Sequence, residues 1–120
     1  MKLLALDTAT AACSVAIWDD GSIRAWQFSP MMRGQSEALM PMVVAVLAEA
    51  GLAFADLDGV AATVGPGAFT GLRIGLAAAR AMALAAGLPC LGVTTLEAVA
   101  ANASEAERHG AALLVVLDAK

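Results

Sequence analysis

The order of the elements predicts an α/β domain built on one mixed sheet. The first half contains two strand patterns joined by Asp19-Asp20-Gly21, a combination that is typical of an antiparallel hairpin. The second half alternates helical patterns with short buried strands, which favours parallel additions through right-handed crossovers. A β-branched run over residues 60–64 ends abruptly at Gly65-Pro66-Gly67, and a long helical pattern follows at once.

Local signals place the boundaries of these elements. Ser29-Pro30 is expected to end the hairpin, and Gly51 and Gly87 lie where helices end with glycine at the C′ position. Thr94-Thr95-Leu96-Glu97 fits a capping box and predicts a third helix that runs to about residue 103. The predicted strands are residues 2–6, 13–18, 22–28, 60–64, 90–93 and 112–117, and the first two predicted helices are residues 36–50 and 70–86.

Composition limits the classes of function. The chain has 120 residues, of which 60% are hydrophobic, with a mean hydropathy of +0.77 and a net charge of −4. Its apolar runs are interrupted, for example by Pro41 and Gly87, so none reaches the roughly 18 residues of a membrane span. Asp7 interrupts the apolar start of the chain, which argues against a secretion signal and favours the cytoplasm. Without a Lys/Arg cluster, an acidic chain is not expected to bind nucleic acid directly.

Residues 65–75, Gly-Pro-Gly-Ala-Phe-Thr-Gly-Leu-Arg-Ile-Gly, form the most specific motif of the sequence. A strand, a glycine turn and a helix start together make a place where backbone N–H groups can face an anion. The spacing does not fit the Rossmann fingerprint, and no Walker lysine follows. The candidate anion-binding residues are Gly65, Gly67, which is expected to take a positive φ, and Thr70 at the helix start.

Two helix surfaces are candidates for contact with a partner. Gly71, Gly75 and Ala79 recur every four residues, so a neighbouring backbone can approach closely, either inside the chain or from outside it. The helix over residues 36–50 is apolar on two sides. One side is a core stripe, and the other is formed by Met40, Val44 and Ala48. A small lobe cannot cover both sides, so the second side faces either a partner or a further lobe.

The motif resembles the signature of the bacterial TsaB (YeaZ) family. Leu4-Ala5-Leu6-Asp7-Thr8 resembles the first strand of that family, and Ser36-Glu37-Ala38-Leu39-Met40-Pro41 resembles its first helix. The resemblance implies a ribonuclease H-like, actin/hexokinase-like (ASKHA) fold. Residues 1–111 are then the N-terminal lobe, and residues 112–120 are the first strand of a missing second lobe.

The resemblance also implies a function. Members of the family are scaffolds that bind and activate the paralogue TsaD in forming N6-threonylcarbamoyladenosine (t6A) in tRNA. TsaE, an ATPase, is the third partner, and tRNA is reached only indirectly through the complex. The first two helices of each partner form a four-helix contact, which can serve a homodimer or a TsaB–TsaD heterodimer. No membrane partner is implied.

Catalytic residues, metal ligands and a cofactor are not expected in this chain. ASKHA enzymes keep a carboxylate at the position of Asp7, followed by a glycine-rich turn. Here Thr8-Ala9-Thr10 follows, which favours a structural role for Asp7 and a turn held by the two threonine hydroxyls. The histidines of the TsaD metal motif correspond to Thr95 and Val99, which are poor ligands or none. The candidate cofactor-binding residues are therefore interpreted as vestigial: Asp7, Gly65, Gly67 and Thr70.

An enzymatic alternative stays open from the sequence. Asp7 and the glycine turn also suit a lobe of an ATP-binding ASKHA phosphotransferase or a TsaD-like carbamoyltransferase. The old superfamily label, glycoprotease, finds no support, because no serine has the sequence setting of a nucleophile. The only histidine, His109, follows a polar segment and is expected to be solvated.

Overall fold

The computed structural model describes residues 1–101, which form a five-stranded mixed sheet with three helices. The strands lie in the order β3-β2-β1-β4-β5, so the first strand is central. The elements along the chain are β1 (Lys2–Asp7), β2 (Ala12–Asp19), β3 (Ser22–Pro30), α1 (Gln35–Ala50), β4 (Gly59–Thr63), α2 (Phe69–Ala86), β5 (Cys90–Val93) and α3 (Thr95–Ala100). A single 3-10 turn, Phe54–Asp56, precedes β4.

The strand pairing places three strand ends at one edge of the sheet. β1 pairs antiparallel with β2 and parallel with β4, and β4 pairs parallel with β5. The carboxyl ends of β1, β4 and β5 therefore meet at the same edge, beside the start of β2. In β/α folds this edge is the usual position of binding residues.

Helices α1 and α2 cover one face of the sheet. Alternate residues of the strands point into this layer, and Leu4, Ile17 and Val60 are completely buried there. From α1, Val43 and Val46 enter the same core and are completely buried. The core stripe that the sequence predicts on the first helix is confirmed, because all of its members are buried: Leu39, Val43, Val46, Leu47 and Ala50.

Hydrogen bonds confirm the predicted ends of α1 and α2 and the predicted start of α3. The predicted end of the third helix, near residue 103, lies outside the described residues. Gly51 has a φ of 70°, and the N–H groups of Gly51 and Leu52 donate to carbonyls of the last turn of α1 at 3.1 and 3.0 Å. Gly87 ends α2 in the same way with a φ of 68°. At α3, the N–H of Glu97 donates to Thr94 Oγ1 at 3.0 Å, which closes the capping box. The predicted strand over residues 112–117 lies outside the described residues.

The expected break at Ser29-Pro30 is wrong. β3 continues through Pro30, which lies opposite Ala12 of β2. Proline is tolerated there because β3 is an edge strand, whose outer side needs no ladder donors. The predicted hairpin turn is confirmed, and Asp20 and Gly21 both take a positive φ, as a two-residue type I′ turn requires.

Helix α2 has 18 residues and is apolar enough, by length and composition, to pass a test for a membrane span. The core helix of a soluble protein passes the same test. In this structure Gly71, Gly75 and Ala79 of α2 are buried, and the helix packs against β4 and β1. One side of this apolar helix therefore packs on the sheet, whereas Phe69 and Leu84 are exposed.

We expect the two cysteines to react very differently. Cys13 is completely buried on β2, whereas Cys90 is exposed on β5. Burial and, to a smaller extent, the carboxylate of Asp7 raise the pKa of the Cys13 thiol. Because the thiolate is the reactive form, a thiol reagent should modify Cys90 in the native chain and Cys13 only after unfolding. In the Cys90→Ser variant Cys13 is the only thiol. Mass spectrometry after treatment with the reagent, with and without denaturant, then measures the modification of Cys13 alone.

The same shift predicts the direction of a pH effect. The folded pKa of Cys13 lies above its ordinary value of 9.0, so the unfolded chain releases this proton first as the pH rises. The free energy of unfolding should therefore decrease as the pH rises above about 9. The decrease should be less steep in a Cys13→Ala variant, which lacks this thiol. Equal slopes in the two proteins would contradict the assignment.

Candidate functional site

The candidate site lies at the sheet edge where β1 and β4 end. The turn after β1, the glycine motif after β4 and the start of α2 meet there. Ala68 donates its N–H to the carbonyl of Ala9 at 3.0 Å, which joins the two turns directly. Thr95, at the start of α3, donates its N–H to the carbonyl of Gly65 at 2.8 Å. The motif is therefore connected on both sides to backbone of the same lobe.

Asp7 uses one carboxylate oxygen to hold this edge together. Its Oδ1 accepts the N–H of Ala9 at 2.9 Å and the hydroxyl of Thr63 at 2.8 Å. The first bond closes the turn after β1, and the second connects β1 to the end of β4. Asp7 is half-buried, and no hydrogen bond to its other carboxylate oxygen, Oδ2, is seen within the described residues. The contacts that the structure shows for this carboxylate are structural.

Thr8 does not have the local role that the sequence suggested. Its completely buried hydroxyl donates to the carbonyl of Gly71 at 2.6 Å and so connects the strand end to α2. The expectation that this hydroxyl holds its own turn is wrong, because the turn is closed by Asp7 and by a bond from Ala12 N–H to Thr10 O at 2.8 Å. The long-range bond involves residues 63 positions apart, and no local sequence signal indicates it.

Glycine is required at different positions of the motif for different structural reasons: backbone conformation at Gly65 and close packing at Gly67. Gly65 takes a φ of +118°, in the region that favours glycine, whereas Gly67 does not have a positive φ. The expected positive φ at Gly67 is therefore wrong. A Cβ at Gly67 would overlap the carbonyl oxygen of Ala9, so this residue is small because the two turns touch. The remaining predicted residue, Thr70, is exposed in the first turn of α2.

The small-residue stripe of α2 faces the interior of the lobe. A Cβ at Gly71 would overlap the carbonyl oxygen of Thr8, and one at Gly75 would overlap Thr8 Oγ1. Ala79 is completely buried. These three residues stood among the candidates for a partner interface, and that assignment is corrected. Their size allows α2 to approach β1, and their side chains are not available to another molecule.

Helix α1 and the outer side of α2 do offer an exposed surface. Met40, Val44 and Ala48 are exposed on one stripe of α1, with Val44 at 59%. On α2, Leu84 is exposed, and the guanidinium of Arg73 lies 5.3 Å from the ring centre of exposed Phe69. We call this outer surface of the two helices the helix face.

Metal-binding groups do not come together in the part of the chain that the structure describes. Within residues 1–101, no three His, Cys, Asp or Glu side chains form a cluster that could hold an ion. Thr95 is completely buried, and within the described residues its hydroxyl has no hydrogen-bond partner. His109 lies outside the described residues.

Comparison with known proteins gives the family. The sequence model described as "TsaD: tRNA N6-adenosine threonylcarbamoyltransferase" matches residues 30–120. The tRNA threonylcarbamoyladenosine biosynthesis protein TsaB of Escherichia coli is 42% identical over 100% of this chain and 51% of its own length. The chain belongs to the TsaD family, among its TsaB (YeaZ) members. It spans about half the length of the curated relatives that it matches first.

Solved structures agree with this assignment. YeaZ from Pseudomonas aeruginosa superposes with a TM-score of 0.79 at 41% identity, covering 82% of this chain and 46% of that one. The ROK hexokinase from Thermus thermophilus superposes with a TM-score of 0.58 at 20% identity, covering 83% and 37%. The hexokinase likeness concerns the fold alone. Together they confirm the predicted ribonuclease H-like, actin/hexokinase-like fold of this TsaB-family chain.

We expect alanine at Gly71 and at Gly75 to destabilise the lobe by different routes. Each added methyl group overlaps Thr8, and overpacking of this kind typically costs roughly 1–3 kcal/mol. At Gly75 the obstacle is the Thr8 hydroxyl, so part of the cost should disappear in a Thr8→Ala background. At Gly71 the obstacle is backbone, so the cost should remain.

Urea unfolding of the two double-mutant cycles measures this difference. Ala81→Ser, at an exposed position of the same helix, is the control and should change the free energy of unfolding by less than about 0.5 kcal/mol. If both glycine variants are rescued equally by Thr8→Ala, the assigned contacts are wrong.

Proposed function

We propose that this chain is a non-catalytic scaffold that binds and activates a TsaD-like partner in t6A modification of tRNA. The observation on which the proposal depends is the exposed apolar stripe Met40, Val44 and Ala48 in a member of the TsaB family. The stripe lies on α1, which also supplies much of the core. A helix that is apolar toward both the core and the outside is suited to be covered on both sides.

The helix face has the properties of an interface. It contains Met40, a residue type that adapts to irregular contacts, and the small residue Ala48. Its two helices also differ in charge, because α1 exposes Glu37 and Glu49 whereas α2 exposes Arg73 and Arg80. A related helix pair that packs in the opposite orientation would place acids against arginines. A TsaD-like paralogue meets this description, and so does a second copy of the chain.

The site chemistry supports a binding role over a catalytic one. In the described part of the chain, the contacts of Asp7 and of the glycine motif are internal, and the Thr95 side chain offers no metal-binding nitrogen. A net charge of −4 favours contact with tRNA through a complex, in which a TsaE-like ATPase is the further partner. We assign this function to the cytoplasm, where tRNA is modified.

The enzymatic alternative is supported by one feature. Asp7 lies at the carboxyl edge of the central strand, and one of its oxygens has no described partner. A lobe of an ATP-binding phosphotransferase or a TsaD-like carbamoyltransferase would use that oxygen toward a metal-bound ligand. The turn amide of Ala68, however, is already bonded to Ala9, which opposes a phosphate cradle at this position.

A charge placed on the helix face should weaken binding of the partner. Val44→Glu and Met40→Glu each place a carboxylate in the apolar stripe, where docking would remove it from water. We expect the affinity for the TsaD homologue of the same organism to fall at least about tenfold, which corresponds to about 1.4 kcal/mol. Calorimetric titration of the two purified proteins measures the change.

Ile23→Glu is the matched control. Ile23 lies on β3 and is 55% exposed, close to the 59% of Val44, but it is not part of the helix face. Its substitution should leave the affinity unchanged. Undiminished binding by Val44→Glu, or an equal loss with Ile23→Glu, would remove the helix face as the docking surface. Sedimentation of the same variants shows whether a homodimer uses the face.

Titration with Mg-ATP tests the enzymatic alternative. We expect no saturable heat from the chain alone, because the contacts described for the turn are internal and no metal cluster occurs within residues 1–101. Asp7→Asn is the control variant. Saturable binding that this variant abolishes would favour the ATP-binding alternative and overturn the scaffold assignment.

A further inference from the structure

Strand β3 contains a residue that has no partner on β2. Ile17 of β2 lies opposite Ala25, and the next residue, Trp18, lies opposite Ile23, so Arg24 is an extra residue between two regular pairs. This arrangement is a β-bulge, which bends the strand locally and changes the direction of the side chain at the extra position. The bulge lies in the edge strand of the hairpin, close to the turn.

The bulge brings the Arg24 side chain to the helix side of the sheet. Ala25 is buried in the core that the sheet forms with α1, whereas the next residue, Trp26, is exposed. In a regular strand successive side chains alternate between the two faces, so Arg24 would share the face of Trp26. Its guanidinium nevertheless reaches Ala50, the last residue of α1, which covers the other face.

The Arg24 guanidinium holds two groups from different elements. Its Nη1 donates to Asp19 Oδ2 at 2.8 Å, and its Nη2 donates to the carbonyl oxygen of Ala50 at 3.0 Å. Asp19 belongs to the hairpin, as the last residue of β2. The planar fork of arginine fits two acceptors in a fixed arrangement, which the single ammonium group of lysine does not. The hairpin and the end of α1 are therefore joined through one side chain.

The end of α1 has no cation of its own. Its last turn contains no basic residue, and the acidic residue Glu49 lies there. A helix C-terminus carries a partial negative charge, so a carboxylate is unfavourable and a guanidinium is favourable at that place. The carbonyls of Leu47 and Ala48 accept from N–H groups that follow the helix, and the carbonyl of Ala50 accepts from Arg24. Arg24 thus supplies the cation that the helix lacks.

We propose that Arg24 is a positioning residue for the helix face, because it fixes the last turn of α1 and thereby places Ala48 for contact with a docking partner. Ala48 belongs to the same turn as Ala50, whose carbonyl Arg24 holds. Helix ends fray when their terminal groups lack partners, and a frayed turn would not present Ala48 beside Val44. The effect on docking rests on the proposed function, whereas the effect on α1 does not.

Amide hydrogen exchange of the full chain tests the effect on α1. Arg24→Met removes the guanidinium, and we expect the amides of residues 50–52 to exchange roughly tenfold faster. Deletion of Arg24 is the matched variant, because it leaves Ile23 next to Ala25 and so restores a regular ladder. It should accelerate the same amides while the hairpin amides stay protected. Arg33→Met, which removes an exposed charge before α1, is the control and should leave these amides unchanged.

Calorimetric titration with the TsaD homologue of the same organism tests the effect on docking. Arg24→Met should weaken binding several-fold, because the last turn of α1 must be ordered before it can dock. Arg24→Lys keeps the charge without the fork and should recover part of the loss. Arg33→Met should bind like the parent chain.

The outcomes separate this proposal from the proposed function. Unchanged exchange at residues 50–52 in Arg24→Met overturns the positioning role, and so does an equal acceleration throughout β2 and α1, which would indicate a general loss of stability. Faster local exchange with undiminished affinity overturns the role in docking. If Val44→Glu weakens binding and Arg24→Met does not, the helix face stands and Arg24 is removed from it. A parent chain that does not bind the homologue overturns the proposed function, while the exchange measurement still decides whether Arg24 fixes α1.

Discussion

The close contact between Thr8 and helix α2 determines the arrangement of the lobe. The Thr8 hydroxyl donates to Gly71 O at 2.6 Å, and neither Gly71 nor Gly75 places a side chain between the helix and the strand end. As a result α2 lies directly against the end of β1, the central strand. Since protein interiors are close-packed, a displacement here would move the layer that α2 forms with α1. The Thr8 contact thus positions α2, whose first residue, Phe69, lies 61 positions after Thr8 in the chain.

The contact between Thr8 and α2 gives the glycine motif a packing role. A motif that resembles a phosphate-binding turn therefore has a structural use even where no catalytic cluster is described. Gly65 allows the turn to reverse, Gly67 lets it touch Ala9, and Gly71 receives the Thr8 hydroxyl. Each of these is a packing requirement that would persist after loss of a ligand. The fold itself is shared with the hexokinase.

Much of the fold could be predicted from local patterns, because its boundaries are set locally. Gly51 and Gly87 end helices through their own conformation, and the turn at Asp20 needs only its two residues. The site was less predictable. The bond from Thr8 to Gly71 joins positions far apart in the chain, and the tolerance of Pro30 depends on β3 being at the sheet edge. Small residues at a four-residue spacing indicate close approach, but only the packed sheet shows that the approach is to Thr8.

Because β1 is the central strand, one of its edges lacks a partner during part of the synthesis of the chain on the ribosome. Leu4 pairs with Ile17 on one side and with Val60 on the other. The hairpin side can form as soon as β2 has emerged, whereas the other edge stays unpaired for several dozen further residues. During that interval an apolar strand with free backbone groups is exposed, which is the situation that promotes association between nascent chains. Synthesis through β4 ends this exposure.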